Sequence, residues 1–193
     1  MKNQNAILQK KDAMTTIRYC LSVSRETNAM LEICILAFID VTNLFLFDIY
    51  SDNFACSQRN FDILCELIEK SELEDLLKET GTLTLFAPSN EAFEYLGDEV
   101  LENLLQDPTG ALKDILKYHI SDEIYFESDL YCNRQIDTLR GDTSDDFTTT
   151  KCKARGAYQK GNGNEKPYPR IMHTDMVACN GVVHVVDKVI LPN

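Results

Sequence analysis

The chain has 193 residues, 44% of them hydrophobic, and its 19 Lys/Arg against 31 Asp/Glu give a net charge of −12. That length fits one domain with an extension, and that hydrophobic share is enough to bury a core. A field this negative repels nucleic acid and anionic lipid, and suits a solvated acidic surface, a cationic partner or weak Ca²⁺ association.

Residues 1–53 hold 5 Lys/Arg and 6 Asp/Glu, so the acidic excess sits in the remainder. Residues 1–28 are polar, with Lys2, Lys10, Lys11, Arg18 and Arg25; residues 29–50 then turn apolar. Basic residues ahead of an apolar run resemble a secretory signal or signal anchor. Glu32, Asp40 and Asp48 interrupt that run, and a charge at the centre of a spanning helix costs about 3 kcal/mol. The unbroken stretch Ile33–Ile39 has 7 residues, the minimum for a signal core and far short of the roughly 20 that span a bilayer. No A-x-A cleavage pattern follows. Residues 1–50 are therefore an extension that reads as a degenerate signal, an amphipathic helix packed on the domain, or an anchor.

From Gln58 to Lys70 the apolar residues Phe61, Leu64, Cys65, Leu67 and Ile68 recur at helical spacing. Leu73, Leu76 and Leu77 predict a second short helix, stopped near Gly81. Thr82 to Ala87 alternates as a strand, and Pro88 ends it for want of an amide. Ser89 is placed to cap the next helix, with Glu91 in its first turn and Ala92, Phe93 and Leu96 on its buried face. Val100, Leu101, Leu104 and Leu105 give another helix, closed by Asp107-Pro108. Leu112, Ile115, Leu116 and His119 form the stripe of a helix that ends in Tyr118-His119.

Beyond Ile120 short strands are expected at Ile124–Phe126, Ile136–Leu139, Phe147–Cys152, Ala157–Gln159 and Arg170–Met172. Gly161-Asn162-Gly163-Asn164 reads as a flexible loop tip without core potential. Asn180-Gly181 opens a tight turn, and the Val-rich run that follows it within Asn180–Pro192 reads as a strand apolar on both faces and so destined for the middle of a core. Helices first and strands after argue an α+β fold.

The sequence holds no Cys-x-x-Cys and no Cys/His cluster at zinc spacing, so no metal site and no cofactor are expected. Cys56, Cys65, Cys132, Cys152 and Cys179 fall in the domain; five cysteines there point to an oxidising compartment and two disulfides, with 15 connectivities open. Cys132 or Cys152 is the candidate to pair across the turn at Gly141. The alternative is a set of buried free thiols inside the cell. No Asn-x-Ser/Thr sequon is present.

Catalysis is not demanded. Glu91 with Glu94, and Asp122 with Glu123, read as solvated charge rather than glycosidase carboxylates. Ser89 lacks the Gly-x-Ser-x-Gly frame of a nucleophile elbow and reads as a cap. No phosphate-binding glycine loop is present. His119, on the apolar stripe, reads as a core residue hydrogen-bonded to a carbonyl or an Asp.

Three ordered motifs carry a family resemblance: TLFAPSNEAF at 84–93, Tyr118-His119 at the end of an apolar helix, and NGVVHVVDKVILP at 180–192. Together they resemble the fasciclin domain, over residues 51–193. The resemblance implies a single compact wedge of early helices on short sheets, with the first and last strands brought together. It marks Thr84, Phe86, Ala87, Pro88, Ser89, Phe93, Asn180, Gly181, His184 and Asp187 as structural. It also implies an integrin-type contact, placed here on Tyr118 and His119 and on Asp175-Met176; the branched residue usual at the second position is a Met here. The function it implies is non-enzymatic adhesion, secreted or at the cell surface, through an extracellular protein or glycan partner. The rival reading is a carrier of a small apolar ligand in a cleft between helices and sheet.

Overall fold

The computed structural model describes residues 60–79, 82–141, 146–154, 156–178 and 180–193. The expectations for residues 1–50, for Cys56 and for Cys179 lie outside the described residues. So does the start of the domain at Ser51.

Among the described residues helix α1 (Asp62–Lys70) and helix α2 (Glu74–Glu79) come first, and Phe61, Leu64, Leu67, Ile68, Leu73 and Leu77 are buried. Strand β1 (Leu83–Pro88) follows, buried along its whole length. Ser89 then caps helix α3 (Asn90–Leu96), its hydroxyl accepting from the Ala92 amide at 3.3 Å. Gly97, at φ 93°, ends α3 and opens helix α4 (Asp98–Leu105), a reversal that a side chain would strain. Asp107 caps the π-turn Pro108–Leu112 by accepting from the Ala111 amide at 3.0 Å. Helix α5 (Lys113–Tyr118) continues from it.

Strand β2 (Ile120–Ser121) returns against β1. A short 3-10 turn (Glu127–Asp129) leads to β3 (Gln135–Asp137), β4 (Phe147–Lys153), β5 (Gly156–Lys160), β6 (Ile171–Ala178) and β7 (Gly181–Val186). These strands make two sheets, one of order β2-β1-β7-β6 and one of order β3-β4-β5, so the fold is α+β.

The first and last strands pair in parallel from Leu83↔Gly181 to Pro88↔Val186. One main apolar cluster joins α1, α2 and α5 to Leu83, Leu85, Val183 and Val185; a second gathers Phe86, Tyr118, Tyr125, Ile136, Val186 and Ile190. Successive side chains of β1 and β7 point to opposite faces, and each face meets one of these clusters. That is why both strands are buried at every position and apolar at all but Thr84 and His184.

Three expectations are corrected. Ile124–Phe126 is not a strand: the Thr84 hydroxyl donates to the Glu123 carbonyl at 2.7 Å and accepts from the Tyr125 amide at 2.8 Å, so a side chain takes the place of a ladder. Strand β6 runs well past Met172, to Ala178. Its register shifts between Ile171 and His173 and again between His173 and Met176, with Asp175 at φ 57°, so a bulge hides the period-two pattern. The Gly161–Asn164 segment is a structured clasp. Asn164 Oδ1 accepts from the Gly161 and Leu191 amides at 3.0 Å, and Asn164 Nδ2 donates to the Val189 carbonyl at 3.0 Å. A Cβ on Gly161 would collide with the Leu191 carbonyl and the Tyr118 ring, so only glycine lets the C-terminal segment lie this close.

Candidate functional site

Two buried histidines organise the molecule around the β1–β7 pair. His119, 1% exposed, follows α5. Its Nδ1 lies 2.8 Å from the Ile115 carbonyl, which can only accept, so Nδ1 carries the proton. Its Nε2 accepts from the Ile190 amide at 2.8 Å. One neutral ring thereby ties α5 to the C-terminal segment, and burial drives its pKa down to about 4.

His184, fully buried on β7, is the mirror case. Its Nε2 donates to the Tyr125 carbonyl at 2.8 Å, and its Nδ1 accepts from the Asp175 amide at 3.3 Å. The ring stacks on Phe86 at 5.4 Å between centroids. Burial lowers its pKa as well. Both histidines are held in a neutral tautomer that protonation would destroy.

The other residues singled out by sequence support the same frame. Phe93 and Ala87 are buried in the main core, and the Asn180 amide donates to the Leu77 carbonyl at 3.2 Å. Asp187 accepts from the Arg170 amide at 2.7 Å, which fixes the start of β6. Cys132 and Cys152 form a disulfide that closes 20 residues, and Cys65 is disulfide-bonded too.

Tyr118 and His119 are placed together but wholly inside. The Tyr118 hydroxyl donates to the Phe147 carbonyl at 2.7 Å and accepts from the Asn162 amide at 3.2 Å. Neither side chain meets solvent, so what they offer is support. Asp175 and Met176 lie elsewhere, on the edge strand β6. The Asp175 carboxylate accepts from the Glu127 amide at 2.7 Å, and the Thr174 hydroxyl donates to Glu127 at 3.2 Å. Desolvation pushes the Asp175 carboxyl up, against the pull of that amide.

Beside this edge, Asn60, Phe61, Met172, His173, Thr174, Met176 and Val185 line an open cleft of about 560 Å³. Met172 is 48% exposed within it. Among the described residues no three His, Cys, Asp or Glu side chains are grouped to hold a metal, and no helix is long and apolar enough to cross a membrane. Sequence reasoning overlooked Met172 and His173 because it ended β6 at that point. No sequence signal marked Met172 as exposed, because the register shift between Ile171 and His173 breaks the alternation that would have shown its face.

Known proteins share this frame. Transforming growth factor-beta-induced protein ig-h3 of Sus scrofa is 35% identical over 133 residues, 69% of this chain and 18% of that protein. Periostin of Homo sapiens is 31% identical over 129 residues, 64% of this chain and 13% of its own length. The chain thus spans less than a fifth of these two relatives. An uncharacterized protein of Synechocystis is 28% identical over 71% of this chain and 93% of its own length. Among solved structures, the FAS1 domain pair from the insect cell adhesion molecule fasciclin I aligns with a TM-score of 0.51 and 22% identity, covering 72% of this chain and 46% of that one. The family model of the fasciclin domain matches residues 59–192, over the same sheet and helices, and the chain belongs to that family.

Proposed function

We propose that the domain is a non-enzymatic adhesion module, acting outside the cell or at its surface and binding a protein partner along the open edge of β6. One observation carries this reading. β6 ends its sheet, and at its bulge it presents Met172, Asp175 and Met176 beside an open cleft. An unpaired strand edge is a template for a partner backbone, and neighbouring side chains give it selectivity. Asp175 accepts one hydrogen bond from Glu127, which leaves its second oxygen for a receptor's cation, as an integrin-like partner would need. The Cys132–Cys152 disulfide agrees with an oxidising compartment. Catalysis finds no support, since both buried histidines have both ring nitrogens engaged.

The test is attachment of receptor-bearing cells to the immobilised domain. Met172→Asp should weaken attachment by about tenfold or more, the effect of losing an interface anchor. Chelation of divalent cations should abolish attachment if the receptor is integrin-like. Attachment equal to wild type in Met172→Asp overturns the β6 assignment.

The cleft favours a second reading. Its volume exceeds the roughly 300 Å³ at which small-ligand sites begin, and Phe61, Met172, Met176 and Val185 give it apolar wall. A carrier would bind an apolar fluorophore saturably at one site, and Met176→Trp would block it. No saturable binding eliminates the carrier.

A further inference from the structure

The second sheet carries a charge inversion. Residues 83–112 contain no Lys or Arg and 6 Asp/Glu, whereas residues 151–170 contain 6 Lys/Arg and a single Glu. The register gathers this basic stretch on one face. Lys151 lies opposite Tyr158, Lys153 opposite Gly156, and Lys160 opposite Thr149. Thr148, Thr150 and Gln159 alternate with these residues and are buried, so the lysines share the outer face. Tyr158 bridges in turn to Arg170, which extends the row Lys151–Tyr158–Arg170 across three segments. The Arg170 side chain lies over Gly156: a Cβ there would sit 3.9 Å from its Nε.

The cations on this face are held but not neutralised. The Lys153 ammonium stands 4.8 Å from the Tyr158 ring centre and 4.7 Å from that of Tyr168, and Lys160 stands 5.6 Å from Tyr168. Lys151 donates to the Asn133 side chain at 3.0 Å. Among the described residues no carboxylate pairs with Lys153, Lys160 or Arg170, and the Arg170 Nε is buried without a hydrogen-bond partner. Aromatic rings fix the ammonium groups without cancelling their charge, so little side-chain entropy is lost when an anion arrives.

We propose that the outer face of β4 and β5 is a binding surface for a linear anionic polysaccharide, whose sulfate or carboxylate groups meet Lys151, Lys153, Lys160 and Arg170. Three properties select this partner. A folded protein would need an apolar centre to its interface, whereas the aromatic rings that stand among these cations, Tyr158 and Tyr168, are taken by ammonium groups. Those same ammonium groups block the base stacking on which single-stranded nucleic acid depends. An extended row across a sheet face, rather than a pocket, matches a chain carrying repeated charges. The net charge of −12 does not forbid this, because screening acts within about 8 Å at physiological salt and leaves the local cations in control of contact. The surface lies on another sheet from the β6 edge, so it stands or falls separately from the protein partner proposed there.

The experiment uses the full chain and a size-defined heparin oligosaccharide, with affinity measured across a salt series. Wild type should bind, and the paired variant Lys153→Gln/Lys160→Gln should bind at least about tenfold more weakly, with a salt slope shallower by about 2. Lys153→Arg/Lys160→Arg should restore binding, which separates lost charge from lost fold. Lys70→Gln/Lys113→Gln, which removes the same charge from α1 and α5, should bind like wild type. Absence of wild-type binding, or an equal loss in the α1/α5 variant, overturns the proposal. Binding of a short DNA duplex as tight as that of heparin, with the same sensitivity, overturns it in favour of nucleic acid.

Discussion

The two sheets are stabilised by opposite means. In the four-stranded sheet, β1 and β7 are buried at every position, and apolar clusters cover both faces. The three-stranded sheet has a polar interior: Thr148, Thr150 and Gln159 are buried there and hydrogen-bonded to one another. Ile136 is the fully buried apolar residue that its first strand supplies. The Cys132–Cys152 bridge joins the segment before β3 to the end of β4. Burying apolar area is non-directional and tolerates many sequences, whereas a polar interior works only if each group finds its partner. The first sheet should therefore be robust except where its two histidines intrude. The second should depend on covalent and hydrogen-bonded detail.

Acid should break the first sheet. Ile190 and Asp175 each aim an amide N–H at a histidine nitrogen, so a proton on either ring sets two donors against each other. The folded pKa of His119 is about 4, against 6.5 for the free side chain. The unfolded chain thus binds more protons between those values, and stability is full above pH 6.5 and falls as pH drops toward 4. That difference amounts to about 3 kcal/mol from His119 alone; His184 is shifted the same way and adds to it. Denaturant midpoints across this range, in wild type and in His119→Gln, check it. A wild-type midpoint that does not move between neutral pH and pH 4.5 refutes it.

Loss of the Cys132–Cys152 bridge should act on the second sheet. Closing a loop of 20 residues limits the unfolded chain, and on the chain-entropy model its loss costs about 3 kcal/mol. The double variant Cys132→Ser/Cys152→Ser should show that loss. Amide exchange should accelerate in β3, β4 and β5 before it does in β1 and β7. Uniform acceleration across both sheets would mean that the two are not separable units.

The same contrast sets how far the sequence could be read. The β1–β7 pair was legible because apolar burial writes itself as Val-Val and Leu-Phe runs, and the resemblance carried by 84–93 and 180–192 supplied their pairing. Ser89 was legible because capping is local chemistry. Two features escaped for one reason, which is that long-range polar contacts leave no period. Thr84 satisfies the backbone at Glu123 and Tyr125, 39 and 41 residues away, and Asn164 satisfies the C-terminal segment at Leu191, 27 residues away. The bulge at Asp175 likewise has a cause outside its own strand, in the Nδ1 atom of His184.

The polar interior of the second sheet offers the finest test. Gln159 donates from Nε2 to the Thr148 hydroxyl at 2.7 Å and accepts from the Thr150 hydroxyl at 3.0 Å. Gln159→Leu removes both bonds and strands two buried hydroxyls. An unpaired buried polar group costs about 1–3 kcal/mol, whereas replacing both partners by apolar groups of similar shape is nearly neutral. Gln159→Leu alone should therefore lower stability by about 2 kcal/mol. Adding Thr148→Val and Thr150→Val should recover most of that loss, since no polar group is then left unmatched. A triple variant less stable than Gln159→Leu would show that the hydroxyls serve the ladder in some way besides satisfying Gln159. A single variant as stable as wild type would mean that the network contributes nothing, and the second sheet would then rest on its disulfide.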